Sequence, residues 1–157
     1  MPGDRHHEEQ GMSQSPTMTF SHIGICVSDL KRSERFYSEA LGFVLSHSAE
    51  AGPPFDIVAE LPELKLRASF LKRDGIMIEL LYHEHPVAVG SSERRPMNQL
   101  GLTHLAFTLD DISPVADRIV KCGGRIYPQT RVKSRAGDFM FCTDPDGTRI
   151  ELWQKVV

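Results

Sequence analysis

One pattern occurs twice in this chain. Ser21-His22-Ile23-Gly24-Ile25-Cys26-Val27-Ser28-Asp29-Leu30 is matched by Thr103-His104-Leu105-Ala106-Phe107-Thr108-Leu109-Asp110-Asp111-Ile112. Each copy has a hydroxyl residue, a histidine, an apolar stretch, and an aspartate seven residues after the histidine. Gly42 and Gly124 each lie 20 residues after their histidine. Both copies close on the form D-G-x-x-I-E-L, at Asp74 to Leu80 and at Asp146 to Leu152. Self-similarity of this kind means one supersecondary unit used more than once, so the fold is built from a pair of modules.

Local signals give each module the same order. The β-rich, alternating stretch 20–28 reads as a strand. Asp29 is an N-cap for a helix reaching about Leu41, and Gly42 is its C′ residue. Strands at about 43–48, 65–72 and 76–82 complete the copy, the last two joined by a turn at Gly75. The second copy gives a strand at 102–109, a helix at 112–122 with Pro114 in its first turn, and strands at 125–128, 138–143 and 148–154. Each module is therefore βαβββ. The expected fold is α+β: two tandem βαβββ modules forming a cup-shaped, barrel-like mixed sheet with helices outside. The repeats span 19–82 and 101–155, joined by a polar linker at 83–100, within one domain at 19–157. His104 follows His22 by 82 residues but Glu151 follows Glu79 by 72, so the first copy holds about ten extra residues. The Pro-containing segment 49–63 is the place for them. A linker of this length is uncommon inside a compact domain and suits a segment that covers a site.

Strand parity then assigns faces. Ile23, Ile25 and Val27 make one apolar face, suited to packing under the helix, and His22, Gly24 and Cys26 point the other way. Leu105, Phe107 and Leu109 oppose His104, Ala106 and Thr108 in the same manner. Ile78 and Leu80 flank Glu79, which shares its face with Met77 and Leu81. Glu151 shares its face with Arg149 and Trp153. Both histidines and both glutamates are thereby expected on the helix-free side of their sheets. A carboxylate among aliphatic neighbours is costly unless something pairs with it, and here each is matched by a histidine. Two imidazoles and two carboxylates, His22, Glu79, His104 and Glu151, form a mixed nitrogen and oxygen set suited to one divalent ion, Ni, Co, Zn, Fe or Mn. Four ligands leave open positions on an octahedral ion, which catalysis requires.

Composition narrows the class. With 18 Lys and Arg against 21 Asp and Glu, the formal net charge is −3, and no basic stripe stands out, which argues against a nucleic-acid partner. No apolar run has the length of a membrane helix. Three cysteines, Cys26, Cys122 and Cys142, are neither a disulfide framework nor a zinc knuckle, and a reducing cytoplasm is the simplest setting. Residues 1–18 are polar, lack a signal sequence core, and read as a disordered leader. His83 and His85, which flank Glu84, read as loop histidines, and His47 carries no assigned role.

The paired modules resemble the vicinal oxygen chelate superfamily, which includes glyoxalase I, methylmalonyl-CoA epimerase, extradiol dioxygenases, fosfomycin-resistance enzymes and bleomycin-binding proteins. The resemblance covers about 19–155. It rests on F-S-H-I-G-I-C-V-S-D-L, S-E-R-F-Y-S-E-A-L-G-F, G-L-T-H-L-A-F-T-L-D-D-I and F-C-T-D-P-D-G-T-R-I-E-L. It implies a homodimer with a small-molecule substrate. Glyoxalase I enzymes use a His-Glu-His-Glu set, whereas extradiol dioxygenases and fosfomycin enzymes lack the first-copy glutamate. Glu79 therefore favours a glyoxalase I-like or epimerase-like isomerase or lyase acting through a metal-chelated enediolate. The longer glyoxalase I signature, with Asn-Trp and Tyr-Glu segments, is absent. By resemblance Glu151 is the base, with Glu79 serving the opposite face, and Arg149, Trp153 and Met77 are candidates to contact substrate. Two alternatives remain: an Fe(II) dioxygenase using His22, His104 and Glu151, and a binding or resistance protein without chemistry.

Overall fold

Two four-stranded sheets, one per repeat, set the architecture. In the computed structural model, which describes residues 18–156, the first module contains β1 (Ile23–Val27), α1 (Leu30–Arg35), β2 (Val44–Ala51), α2 (Phe55–Ala59), β3 (Lys65–Arg73) and β4 (Ile76–His85). The second contains β5 (Leu105–Leu109), α3 (Ile112–Lys121), β6 (Arg125–Ser134), β7 (Gly137–Thr143) and β8 (Arg149–Gln154). The strand orders are β1-β4-β3-β2 and β5-β8-β7-β6, the same topology twice. In each sheet the first strand runs parallel to the last and the remaining pairs are antiparallel. The leader expected over 1–18 lies outside the described residues except for Met18, which is exposed. No helix of the described residues is long and apolar enough to cross a membrane.

Local chemistry explains the matching starts. Asp29 and Asp111 both cap their helices, Asp29 accepting from the Arg32 amide at 3.0 Å and Asp111 from the Ser113 amide at 2.9 Å. The helix expected to reach Leu41 instead changes pitch. After Arg35 the chain makes a π-helical turn, Phe36–Ala40, which buries Phe36, Tyr37 and Ala40. Gly42, at φ +72°, ends it as the glycine spacing implied, with the Phe43 amide reaching back to the Tyr37 carbonyl at 2.9 Å. The Asp74-Gly75 pair has positive φ at both residues, the geometry of a tight hairpin turn between β3 and β4.

Several boundaries differ from expectation. β1 and β5 begin at Ile23 and Leu105, three residues after the expected starts, so His22 and His104 lie immediately ahead of their strands. Segment 49–63 holds more than loop, since β2 runs to Ala51 and α2 follows. Strand β6 continues to Ser134 past an irregularity between Tyr127 and Val132. Strand β4 extends to His85, so His83 and His85 are strand residues and not loop residues. The β3 partner supplies the ladder that carries β4 past Tyr82, with Leu66 opposite His83 and Lys65 opposite His85.

The core lies between the helix-bearing sides of the two sheets. Ile25, Val27, Leu71, Ile78 and Leu80 from the first module join Ile112, Ile119, Met140, Ile150 and Leu152 from the second in one buried cluster. Full burial of each large side chain stabilises by about 1.5–3 kcal/mol. Polar groups tie the modules together as well. Asp146 accepts from the Ser28 hydroxyl at 2.5 Å and from Arg32 at 2.7 Å. Buried Tyr37 donates to the Asp144 carboxylate at 3.0 Å. Because the helix sides face a shared core, the helix-free faces point away from one another.

Candidate functional site

Both histidine and glutamate pairs form within their own modules. His22 Nε2 lies 3.0 Å from Glu79 Oε2, and His104 Nε2 lies 3.7 Å from Glu151 Oε2. The parallel registers account for this. Gly24 is opposite Glu79 and Ala106 is opposite Glu151, so a histidine two residues earlier on the same face reaches the carboxylate diagonally. The exposed positions Gly24, Cys26, Ala106 and Thr108 alternate with more buried neighbours, as parity requires.

The hydroxyl residue before each histidine has a purpose that sequence spacing did not disclose. Ser21 Oγ and Thr103 Oγ1 each lie 2.9 Å from Nδ1 of the next residue. Engaging Nδ1 fixes the ring orientation and leaves Nε2 directed at the glutamate, which is the arrangement that prepares an imidazole for a ligand role. A second repeated feature was also missed. Phe70 is opposite Glu79 on β3, and Phe141 is opposite Glu151 on β7. Each presents an aromatic ring in edge geometry to its histidine, at 5.5 Å for His22 with Phe70 and 5.7 Å for His104 with Phe141. Their equivalence is one of cross-strand register and not of spacing, since Phe70 precedes the D-G turn by four residues and Phe141 by five, so sequence shows only that both third strands carry a phenylalanine.

The rows continue outward and then diverge. His47 on β2 stacks on Phe70 with ring centroids 4.3 Å apart, whereas Tyr127 on β6 occupies the corresponding position beside Phe141. His47 thus sits on the same face as His22 and Glu79. His83 shares that face further along β4, with a buried Nδ1 that has no hydrogen-bond partner among the described residues. Glu84 and His85 turn outward, Glu84 pairing with Arg67 at 2.6 Å and His85 with Glu63 at 3.7 Å.

The substrate-contact candidates fare differently. Met77 lies half-buried on the Glu79 face. The Trp153 indole donates to the Ala136 carbonyl at 2.9 Å and stacks on Phe139 at 5.4 Å, so one edge is committed to packing. Arg149 is buried, with its guanidinium 5.0 Å from the Phe141 ring and one N–H donated to the Arg95 carbonyl at 2.5 Å. Burial, and then the neighbouring charge of Arg94, hold its pKa below the ordinary arginine value. The linker therefore does lie against the second module. Arg94 stacks on Tyr127 at 3.8 Å, Glu93 pairs with Arg125, and the Ser92 carbonyl closely approaches Gly147.

Two features sit outside this machinery. Cys122 and Cys142 are buried thiols, with Cys142 pushed up to about 12 by burial, while Cys26 is exposed on the His22 face. A cleft between α1 and β3, lined by Lys31, Glu34, Arg67 and Ser69, opens on the helix side and not over the histidines.

The four residues singled out by the repeat are not gathered in one chain. Among the described residues no group of three or more His, Cys, Asp or Glu side chains is placed to hold a metal ion. The cause is the shared core, which turns the two His/Glu faces apart.

Comparison with known proteins agrees with this duplicated architecture. The chain is 30% identical over 146 residues to the lactoylglutathione lyase of Haemophilus influenzae, covering 86% of this chain and 91% of that protein. It is 28% identical over 136 residues to the glutathione transferase FosA of Serratia marcescens, covering 85% and 79% respectively. A glyoxalase family protein from Bacillus cereus has the same fold, with a TM-score of 0.80 over 93% of this chain and 99% of that one at 19% identity. A family model matches residues 19–152, and the chain belongs to the Glyoxalase/Bleomycin resistance protein/Dioxygenase superfamily.

Proposed function

We propose that this chain is a divalent-metal-dependent isomerase, epimerase or lyase of a small oxygenated substrate. The observation that carries the proposal is the duplicated pair: two histidines with Nδ1 engaged by a neighbouring hydroxyl and Nε2 facing a glutamate. The donor set fits a metal, since each pair offers one imidazole nitrogen and one carboxylate oxygen on an open face. His22, Glu79, His104 and Glu151 would hold the ion. When bound, it would supply Lewis-acid stabilisation of negative charge on adjacent substrate oxygens.

The chain's own residues would do the rest. Glu151 Oε2 would take the proton from the substrate C–H next to those oxygens, being already oriented on β8 and within reach. Glu79 would serve the opposite face where a stereocentre is inverted. His104, held by Thr103 and the Phe141 edge, would keep its ring fixed while Glu151 moves. Met77 and Trp153 would line the apolar part of the pocket.

A second copy of the chain is part of the proposal. Because one chain turns its two half-sites apart, the His22–Glu79 face of one protomer would meet the His104–Glu151 face of its partner. Closed cyclic dimers are the commonest homo-oligomers, and this pairing would create two equal sites per dimer. Three unpaired cysteines fit a reducing, cytoplasmic setting.

The test is metal content after purification without added metal, for the wild type and for single alanine variants at the four positions. The expected result is bound metal in the wild type and a loss in every variant. In metal-loaded protein, Glu151→Gln should abolish exchange of the substrate C–H with solvent deuterium. Metal content unchanged by Glu79→Ala would refute the four-ligand set and favour a three-ligand dioxygenase arrangement.

A further inference from the structure

The linker and the second module place two guanidiniums, neither of them in an ion pair among the described residues, over neighbouring aromatic rings. Arg94 lies flat on Tyr127 at 3.8 Å, and Arg149 lies over Phe141 at 5.0 Å. Tyr127 and Phe141 are directly opposite one another on β6 and β7. Side chains directly opposite one another on neighbouring strands project from the same face, so the two rings bring both guanidiniums to one face of the second sheet. Most other arginines among the described residues have acidic partners: Arg32 with Asp146, Arg35 with Glu39, Arg67 with Glu84, Arg73 with Asp74, Arg125 with Glu93 and Arg131 with Asp138. Among the described residues, neither Arg94 nor Arg149 forms an ion pair.

Burying a cation beside a second cation is unfavourable unless an anion joins them. A guanidinium offers five N–H donors, and Arg149 uses one of them on the Arg95 carbonyl. Arg94 presents its flat face to Tyr127, which leaves its N–H edge for a ligand. The position is informative. Arg149 and Glu151 are alternate residues on one face of β8, about 7 Å apart along the strand. Phe141 contacts both the Arg149 guanidinium and the edge of His104. An anionic group held here would sit one ring's width from the His104–Glu151 pair.

We infer that Arg94 and Arg149 form an anion-binding subsite of the active site, and that the substrate carries a carboxylate or phosphoryl group remote from its reacting carbon. This names the chemical class of the substrate, and it rests on the proposed function for the location of that reaction. Tyr127 sets the angle of Arg94 by stacking. The linker supplies Arg94, so a segment without a counterpart in the repeat defines what the second module recognises.

Anion binding is measured by isothermal titration on EDTA-treated full-length protein, using methylphosphonate and acetate as separate probes. The wild type is expected to bind at least one of them, and which one binds identifies the group as phosphoryl or carboxylate. Arg94→Gln should weaken that binding about tenfold, the loss expected for one charge-assisted contact. Arg135→Gln, an exposed cation elsewhere on the surface, should leave it unchanged. Arg94 is the residue to change because it is half-exposed, whereas Arg149 is buried. Absence of binding to both probes by the wild type, or equal binding by Arg94→Gln, would overturn the inference. Titration without metal separates it from the proposed function: anion binding lost in Arg94→Gln supports the subsite even in a protein that takes no metal.

Discussion

Tyr37→Phe removes one hydroxyl and should cost about 2 kcal/mol of stability at neutral pH. Tyr37 is fully buried, and its hydroxyl donates to Asp144 Oδ2 at 3.0 Å. Asp144 is itself 1% exposed and also accepts from the Asp146 amide at 2.9 Å and the Thr148 amide at 2.7 Å, both at Oδ1. Removing Tyr37 therefore strips Oδ2 of its side-chain donor in a place water does not reach. A hydrogen bond to a charged group contributes about 1.5–3 kcal/mol, and the phenyl ring keeps its packing, so the middle of that range applies. Burial raises the Asp144 pKa above the ordinary aspartate value, while the Thr148 and Tyr37 bonds act in the opposite direction.

The sign of the pH dependence follows. A raised folded-state pKa means the native protein holds its proton more tightly than the unfolded chain, so Asp144's contribution is fully present below the ordinary aspartate pKa and is lost as pH rises through the folded value. Tyr37→Phe raises that value further, because it removes a bond that favours the carboxylate. The penalty of the substitution should thus be largest at neutral pH and shrink in acid, where the bond is to a neutral carboxyl. Urea denaturation of both proteins at a series of pH values measures this directly. A loss below about 0.5 kcal/mol at neutral pH, too small for a charge-assisted bond, or a loss independent of pH would refute the reasoning.

Two further substitutions probe the module junction and the site. Gly124→Ala would place a Cβ 2.5 Å from the Thr143 carbonyl oxygen, 2.6 Å from the Phe36 ring and 2.8 Å from Ile119. It should destabilise by about 1–3 kcal/mol as overpacking, read as a lower urea midpoint with unchanged slope. Thr103→Val keeps the shape but removes the partner of His104 Nδ1, and should weaken metal affinity about 10- to 100-fold while leaving the urea midpoint nearly unchanged.

The duplicated βαβββ order, the Asp29 cap and the face assignment of all four His and Glu residues were legible because they depend on period-two alternation and local turn chemistry. Gly24 and Ala106 left small positions opposite the glutamates, and the diagonal histidines followed from register. What sequence did not disclose depends on tertiary contact. The π-helical turn at Phe36 is favoured by packing of Phe36 and Tyr37 against the second module, which no local propensity encodes. His83 joined β4 because β3 offered it a ladder. Arg94 carries no signal of its own in the sequence, since its partner Tyr127 lies 33 residues away and on another element. The facing of the two half-sites away from one another followed from the shared core, a property of both modules together.

The claim that two chains complete each site is tested most directly by a mixed oligomer. One chain carries His22→Ala and Glu79→Ala, the other His104→Ala and Glu151→Ala, and the two are refolded together with separable tags. A site shared between protomers predicts that neither double variant holds metal alone and that the purified heterodimer regains one metal ion, half the wild-type content. A heterodimer that forms and stays as metal-free as its parents would contradict the account, because sites closed within single chains would remain broken in both.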